Sequence, residues 1–338
     1  MRLLKYAGRR FLLMLIVLFG VILITFTISH MVPGDPLVAN LGQGALNNPE
    51  IIKTYEQKWG LDKPLAQQFF IYMANVFHGD LGVSIRSKQP VRGDLARFFP
   101  ATIEMATIAT ILSVLFGMGF GVVSAARRNS AIDQSMRAVS LVGISLPMFW
   151  LALLLLYLFY FKLGVLPGSG KASLTYLSNK SNGGFLILGS LFSGNMPMFK
   201  DAFAHVALPA VTLSASTMGV LTRTVRSSML DTMGQDYMRT ARAKGLSKNR
   251  ALTGHAVKNG LIPSVTMFGL TYGSLLGGTV IVETIFDYPG LGWYAYHSAI
   301  TLDYPAIMGC TLVIAVINCV MSLLVDIIYA LVDPRIQY

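Results

Sequence analysis

Charge is what this sequence has least of. Only 13% of its 338 residues are Asp, Glu, Lys or Arg, against about 25% in an average soluble domain, and 54% are hydrophobic. A soluble protein of this length would need far more polar surface, which excludes that class. Six runs without any charged residue are Phe11–Ser29, Met105–Ala126, Ala138–Phe161, Val206–Thr222, Asn259–Val282 and Pro305–Val325. Each is close to the roughly 20 residues that a helix needs to cross about 30 Å of hydrocarbon, so the sequence predicts an all-α membrane protein with six transmembrane helices.

Ionisable groups and cysteines are also scarce inside the predicted spans. Asp326, near the inner end of the sixth span, is the exception among ionisable groups, whereas proton- or sodium-driven transporters usually carry such groups at membrane depth. This scarcity favours an energy source outside the chain. The two cysteines, Cys310 and Cys319, both lie in the sixth span and are about 13 Å apart along a helix, which excludes a disulfide between them.

The sequence offers no recognisable catalytic or metal site. Its five histidines show no ligand spacing, and no Ser/His/Asp set stands out. The segment Leu166–Lys171 invites comparison with a phosphate-binding loop, but that motif needs glycine where Val165 stands and Ser or Thr where Ala172 stands. We therefore predict that this chain does not itself hydrolyse ATP.

The net charge of +11 is distributed as the positive-inside rule expects. Basic residues precede the first span and lie between the second and third. Eight more lie between the fourth and fifth: Arg223, Arg226, Arg239, Arg242, Lys244, Lys248, Arg250 and Lys258. The segment 283–304 has no Lys or Arg. This pattern predicts that both termini are cytoplasmic, and it explains the positive charge without nucleic acid. The first apolar run is too long for a signal-peptide core, so we expect it to remain as an anchor.

Three segments follow from this topology: 1–30 with the first span, a large external region 31–100, and a core 101–338. Small helices are predicted at 49–59 and 64–77 in the external region, which could cap a pore, dock a partner, or only seal the outer end. The run 183–199 is also charge-free, but glycines and a proline interrupt it. We interpret it as a surface or re-entrant element in preference to a seventh span.

The basic segment 231–258, on the predicted inner side, carries helix-capping signals. Asp236 is predicted as the N-cap of a short helix, and Gly245 as the residue just past its C-terminus. Ser247 is predicted to cap a second helix that continues to Lys258. Ala241 and Ala243 are small enough to let a groove on another protein approach closely. The alternative is a solvated basic loop that only obeys the topology rule.

Small residues cluster within two predicted spans. Gly117, Gly119 and Gly121 lie in the second, whereas Gly269, Gly273 and Gly277 share one face of the fifth because of their four-residue spacing. Either cluster could be a seam between subunits or moving helices, or ordinary packing within the chain. Ser274 is one of several polar candidates for lining a pore.

Nine short segments, spread along nearly the whole chain, are informative as a set: Asp236–Ser247, His255–Pro263, Val32–Pro36, Trp59–Pro64, Gly79–Gly82, Phe99–Thr102, Ala207–Pro209, Glu283–Gly292 and Val332–Arg335. Together they resemble one transporter family, the permeases of ABC importers. More narrowly, the chain is similar to the first of two permease subunits in importers of the dipeptide, oligopeptide or nickel type. Arg239–Ala241 stand where the general permease pattern has Glu-Ala-Ala, and Lys258 stands where it has proline. These departures look like features of the peptide-type subfamily.

The resemblance implies that the inner segment is a coupling loop that fits a cleft in a cytosolic ATPase. The residues implied in this contact are Asp236, Tyr237, Arg239, Thr240, Ala241, Arg242, Ala243, Lys244 and Gly245. It also implies a second, homologous permease subunit, two cytosolic ATPase subunits that bind ATP and Mg²⁺, an external solute-binding protein, and a multi-pass location in the lipid of the inner membrane. We expect this chain to bind no cofactor and no nucleic acid. The cargo would be di- or oligopeptides, with nickel, glutathione or another peptide-like solute as alternatives. A rival of another class is an ion-coupled secondary transporter.

Overall fold

The structure is a computed structural model that describes residues 2–31, 49–50, 53, 60, 62–177 and 184–332. Most of the predicted helix 49–59, the segment 32–36 and residues 333–335 lie outside the described residues. Within the described part, the β-type pairing is an isolated bridge between Val83 and Pro90. All other regular structure there is helical.

Fourteen α-helices are assigned in the described part of the chain. In chain order they are α1 (Arg2–Met31), α2 (Leu65–Phe77), α3 (Val91–Ala126), α4 (Ala131–Ser145), α5 (Met148–Leu155), α6 (Leu174–Leu177), α7 (Leu186–Phe192), α8 (Met196–Met233), α9 (Asp236–Ala243), α10 (Lys248–Ala251), α11 (Val257–Gly260), α12 (Ile262–Ile285), α13 (Leu291–Ile300) and α14 (Tyr304–Val332). The structure also has two π-helical segments, Leu156–Lys162 directly after α5 and Leu252–Ala256 between α10 and α11.

Four of these helices, α1, α3, α8 and α14, are long and apolar enough to cross a membrane. The pair α4 and α5, with its π-helical extension, passes the same test as one broken span. Helix α12 has 24 residues, about 36 Å of helix, in the place of the fifth predicted span. Each predicted span therefore has a helical counterpart, while the number of crossings stays a prediction. The division at residues 30 and 100 also stays a prediction, and the helix that contains the second span begins at Val91.

The third predicted span is not one straight helix, as its charge-free run suggested. Helices α4 and α5 meet at an angle of 109°. The backbone of Leu146 is extended, with ψ of 129°, and Pro147 follows it. Proline has no N–H to donate and disfavours helical backbone in the residue before it, so the helix ends at Ser145 and restarts at Met148.

The core of the described molecule is built around α3 and α8, which form its most extensive helix pair. Helix α12 packs against both of them, and α14 packs against α12 and α1. Two of the three glycines predicted to pack in the second span serve this pair. A Cβ on Gly117 would lie 2.8 Å from Leu221 Cβ, and one on Gly121 2.5 Å from Val225 Cβ, whereas Gly119 faces open space. Gly117 and Gly121 are thus ordinary packing positions within the chain.

The glycine seam predicted in the fifth span is described only at one position. A Cβ on Gly273 would lie 3.3 Å from Asn318 Oδ1, so this glycine faces α14 of the same chain. The surroundings of Gly269, Ser274 and Gly277 lie outside what the structure describes. A seam between subunits therefore stays a prediction.

The external region and the segment 183–199 contain short helices. Helix α2 confirms the helix predicted at 64–77, and its Phe69 and Tyr72 pack with Ile22 and Phe26 of α1. Leu65, in the first turn of α2, is exposed. In 183–199 the structure describes α7, whose seven residues span only about 10 Å and cannot cross a membrane. The interpretation of 183–199 as a surface or re-entrant element stays a prediction, and Gly183 lies outside the described residues.

Candidate functional site

Residues 236–260 form a compact projection after α8, which we call the knob. Its first helix, α9, begins one residue earlier than predicted. Gln235 is the N-cap, with extended backbone, and Asp236 already belongs to the first helical turn. The prediction of Asp236 as the N-cap was therefore wrong. Asp236 instead places a carboxylate near the positive end of the helix dipole and lies 3.4 Å from Arg239 in an exposed pair.

Helix α9 ends where predicted, with Gly245 just past its C-terminus. This residue has φ of +87°, a left-handed conformation that glycine adopts without steric conflict. Its N–H donates to the carbonyl of Arg242 at 2.9 Å, and the N–H of Leu246 donates to the carbonyl of Ala241 at 3.3 Å. These two bonds define a Schellman motif, which satisfies the last carbonyls of the helix and turns the chain.

The second predicted helix of the knob is also confirmed. Ser247 is the N-cap of α10, and its hydroxyl accepts from the N–H of Arg250 at 3.5 Å. The helical path continues through the π-helical segment and α11 to Gly260. Two helical arms therefore meet at a turn between Lys244 and Ser247.

The knob packs through its own apolar core against the C-terminal ends of α3 and α8. Met238, Ala251 and Ala256 are buried in one cluster with Met229 of α8 and Ala125 of α3. At the edge of the cluster the side-chain amide of Asn259 donates to the hydroxyl of Tyr237 at 3.1 Å, linking the two arms. Any force on the knob is consequently passed to α3 and α8.

The face that α9 offers to a partner is basic. Of the residues implied in a coupling contact, the exposed ones are Asp236, Tyr237, Arg239, Thr240, Arg242, Ala243, Lys244 and Gly245. Ala241 differs, because only 8% of it is exposed. The prediction that both alanines admit a groove on another protein therefore fails for Ala241 and stays a prediction for Ala243.

A buried carboxylate that the sequence reasoning missed connects the inner ends of three helices. Asp133 of α4 is fully buried and accepts from Arg226 of α8 through Nε at 2.8 Å and Nη2 at 2.9 Å. The hydroxyl of Ser124 in α3 and the N–H of Asn129 donate to the same carboxylate. A two-pronged arginine contact of this kind fixes geometry as well as charge. Helix α8, which leads directly into the knob, is thereby joined to α3 and α4.

A local signal for the start of α4 was present in the sequence. Ser130 accepts from the N–H of Asp133 at 3.3 Å and caps the helix. The spacing Ser-x-x-Asp is typical of a helix N-terminus. No local pattern, however, indicates that Arg226, 93 residues away, completes the site.

Buried carboxylates also accept hydrogen bonds from loops at the end of the helices opposite the knob. Glu283 at the end of α12 accepts from the hydroxyl of Thr102 at 2.7 Å and from the N–H of Trp293 at 2.8 Å. The same Thr102 oxygen accepts from the N–H of Leu291 at 2.7 Å. Gly290 is required for this approach, since a Cβ there would lie 2.6 Å from the carboxyl carbon of Glu283. The loop from α12 to α13 is thus fastened to α3.

Glu104 holds α7 against the same helix, α3. Its carboxylate accepts from the N–H groups of Leu186, Ile187 and Leu188 at 2.9 to 3.1 Å. Lys171 lies near enough to interact with this charge; burial lowers the pKa of the Lys171 ammonium, and Glu104 opposes that shift. The sequence reasoning missed both glutamates because each lies just beyond a charge-free run.

The described residues around the knob form a packed, hydrogen-bonded connection between helices. In the described part of the chain, no group of three or more His, Cys, Asp or Glu side chains could hold a metal ion. The side of the molecule that carries the knob has an exposed basic helix, α9, above a buried apolar core. The buried Asp133–Arg226 ion pair joins α8, which leads into this core, to α4.

A solved structure has a similar fold. The chain matches a subunit of the methionine ABC transporter MetNI, solved in inward-facing conformations, with a TM-score of 0.51 over 71% of this chain and 96% of that one. At 15% sequence identity this likeness shows the fold alone.

Curated relatives match over nearly the full length. The chain is 43% identical to the probable D,D-dipeptide transport system permease protein of Escherichia coli, covering 96% of this chain and 94% of that protein. It is 38% identical to the di/tripeptide transport system permease protein of Pseudomonas aeruginosa, over 99% of each. It is also 38% identical to the oligopeptide transport system permease protein of Bacillus subtilis, over 98% of this chain and 99% of that protein.

Two family matches cover most of the chain. Residues 3–106 match the N-terminal part of the binding-protein-dependent transport system membrane component, and residues 117–338 match the inner membrane component itself. The second match alone spans well over half of the sequence. The chain therefore belongs to the family of inner membrane components of binding-protein-dependent transport systems, the permeases of ABC importers.

Proposed function

We propose that this permease is the first of two homologous subunits that together form the pathway of a peptide importer. The observation that carries the proposal is the identity of 38 to 43%, over nearly the whole chain, to proteins named as permeases for D,D-dipeptides, di- and tripeptides and oligopeptides. Di- or oligopeptides, delivered by an external solute-binding protein, are the proposed cargo. Two cytosolic ATPase subunits bind ATP and Mg²⁺, and this chain binds no cofactor.

The knob is the proposed contact with the ATPase. Its exposed face, from Asp236 to Gly245, stands on a buried core that continues into α3 and α8. ATP binding closes the ATPase pair and displaces the knob. The Asp133–Arg226 pair then makes α4 move with α8, so that a displacement on the inner face changes the packing of several long helices together.

This arrangement accounts for transport without ion-coupling groups in the chain. Among the described residues, the carboxylates buried at the end of the helices opposite the knob are Asp94, Glu104, Glu283 and Asp303. Each accepts hydrogen bonds from backbone N–H groups or from hydroxyl groups. Such bonds stabilise loops and leave fewer lone pairs to exchange a proton or a sodium ion. The energy is supplied by the ATPases, with both termini of the permease in the cytoplasm.

The test is a bulky substitution on the exposed face of α9. Ala243→Trp should leave the fold intact, because Ala243 is exposed, but should prevent close approach of the ATPase. In proteoliposomes with the complete importer, we expect ATP-driven peptide uptake to fall at least tenfold while the permease keeps its melting temperature. The matched control is Arg223→Trp, on an exposed position of α8 outside the knob, which should transport normally.

Two outcomes would count against the proposal. Peptide uptake driven by an ion gradient in vesicles that lack the ATPases would support a secondary transporter. For the cargo, binding protein loaded with peptide should stimulate ATP hydrolysis by the complex. If only nickel- or glutathione-loaded binding protein does so, the peptide assignment is wrong.

A further inference from the structure

A basic cavity lies beside the knob, on the same side of the molecule. It has a volume of about 590 Å³ and is bounded by the end of α3, the turn into α4, the end of α8 and both arms of the knob. Four cationic side chains line it: Arg127, Arg128, Arg242 and Lys248. Ile132, Leu230 and Met233 provide apolar walls.

The positive charge of this cavity is not neutralised from within its walls. None of the described residues that line it is acidic. Among the acidic residues nearby in the described chain, Asp133 pairs with Arg226 and Arg137 and Asp236 pairs with Arg239, while Asp231 is exposed on α8 and does not line the cavity. Four like charges around one concave surface repel one another and produce a positive potential, which an anionic group would relieve.

The depth of the cavity distinguishes a protein partner from a lipid headgroup. On α8, residues 202–222 are free of charge between Asp201 and Arg223, and these 21 residues span about 31 Å, the thickness of the hydrocarbon. Leu230, in the cavity wall, lies about 12 Å further along the same helix. Lipid headgroups occupy only about 5–7 Å on each side, so the cavity lies beyond them in the cytosol.

We propose that this cavity receives an aspartate or glutamate side chain of the cytosolic ATPase. The inference rests on the proposed function, and it adds a second contact to the one made by the exposed face of α9. Arg242 belongs to both surfaces, so the two are continuous. Arg127 and Arg128 follow α3 directly, and the acidic side chain therefore links the ATPase to α3 as well as to the knob. The ATPase thereby contacts both α3 and α8, the two most extensively packed helices, at one place.

The first experiment measures the affinity of the purified permease complex for its ATPase subunits as a function of salt. Arg128→Glu should weaken binding at least tenfold at low salt and reduce the salt dependence, because a charge pair is replaced by repulsion. The matched control is Arg223→Glu, which makes the same charge change at an exposed position outside the cavity. It should change the affinity less than twofold.

The second experiment identifies the partner group. A carbodiimide, which joins an amine directly to a carboxylate, should couple Lys248 to an aspartate or glutamate in an ATPase peptide detected by mass spectrometry. Lys248→Arg keeps the charge but cannot couple, so the cross-link at residue 248 should disappear.

Each other outcome has a definite meaning. Unchanged affinity of Arg128→Glu, in a preparation where Ala243→Trp still abolishes transport, overturns the cavity proposal and leaves the proposed function intact. Loss of co-purified anionic phospholipid without loss of ATPase affinity also overturns it, in favour of a lipid site. If the wild-type permease fails to bind the ATPases at all, the proposed function itself fails.

Discussion

Asp133 and Arg226 show how much a single pair of residues can decide in this permease. Both are polar residues in a chain with few charges, and neither belongs to the exposed face of the knob. Buried together, they join α8 to α4, and Ser124 adds α3. Buried charges are tolerated when each has a partner with good geometry, and removal of one partner leaves the other uncompensated. At this scale, the carboxylate of Asp133 holds three helices together on the side of the molecule that carries the knob.

We predict that Asp133→Asn destabilises the permease by about 2–3 kcal/mol. A fully buried pair usually loses roughly 3–5 kcal/mol when one partner is removed, but Arg226 keeps 19% exposure and water compensates part of its charge. The measurement is denaturant or thermal unfolding of the purified protein in detergent. Arg137→Gln removes a half-exposed partner of the same carboxylate at 3.5 Å and should lose less than about 0.5 kcal/mol. An equal effect of the two variants would contradict the assigned role.

Among the elements, short helices attached to long ones carry the features of interest. The knob ends α9 with a Schellman motif and restarts with a serine cap, and both devices depend on residues within a few positions of one another. Helix α7 is different, since its seven residues are too few for a helix that is stable alone. The carboxylate of Glu104, in another helix, orders it by accepting three consecutive N–H groups.

For this element we predict that Glu104→Gln loosens α7 without unfolding the protein. The substitution removes the negative charge and replaces one acceptor oxygen with a donor that opposes the N–H groups. Amide hydrogen exchange of residues 186–192 should become at least about tenfold faster, equivalent to about 1.4 kcal/mol, because hydrogen bonds to charged groups contribute about 1.5–3 kcal/mol each. Helix α13 is not held by Glu104, and its exchange rates serve as the internal control. Uniform acceleration throughout the chain would mean global destabilisation instead.

At the scale of the whole molecule, the two ends of the helices differ in charge and in how their loops are held, which suits a permease. The end that carries the knob presents exposed basic groups over an apolar core, while the opposite end fastens its loops with Glu104, Glu283 and Thr102. One end therefore carries the surface that we propose receives a cytosolic partner, and the other keeps α7 and α13 in place. The proposed orientation puts the knob in the cytoplasm.

Orientation can be checked with single cysteines in a variant whose native Cys310 and Cys319 are replaced by alanine. Gln89→Cys lies on the exposed outer turn before α3, and Asn249→Cys lies on the exposed knob. A membrane-impermeant maleimide should label residue 89 only in right-side-out vesicles and residue 249 only in inside-out vesicles. The variant without added cysteines is the blank. Labelling of both positions from one side would show that the topology is wrong.

The sequence by itself determined the class of the protein, the position of its apolar helices and the turn chemistry of the knob. These depend on composition, on run length and on neighbours within a few residues, as Gly245 and Ser247 illustrate. Only the tertiary structure decided that Pro147 separates two helices at 109°, that Ala241 is buried, and that Arg127, Arg128, Arg242 and Lys248 surround one cavity. Each of these depends on which helix packs against which face, and contacts between residues about a hundred positions apart leave no period or spacing in the chain. The scarcity of charge therefore predicts a membrane protein, and the packing of α3, α4 and α8 decides what the few remaining charges do.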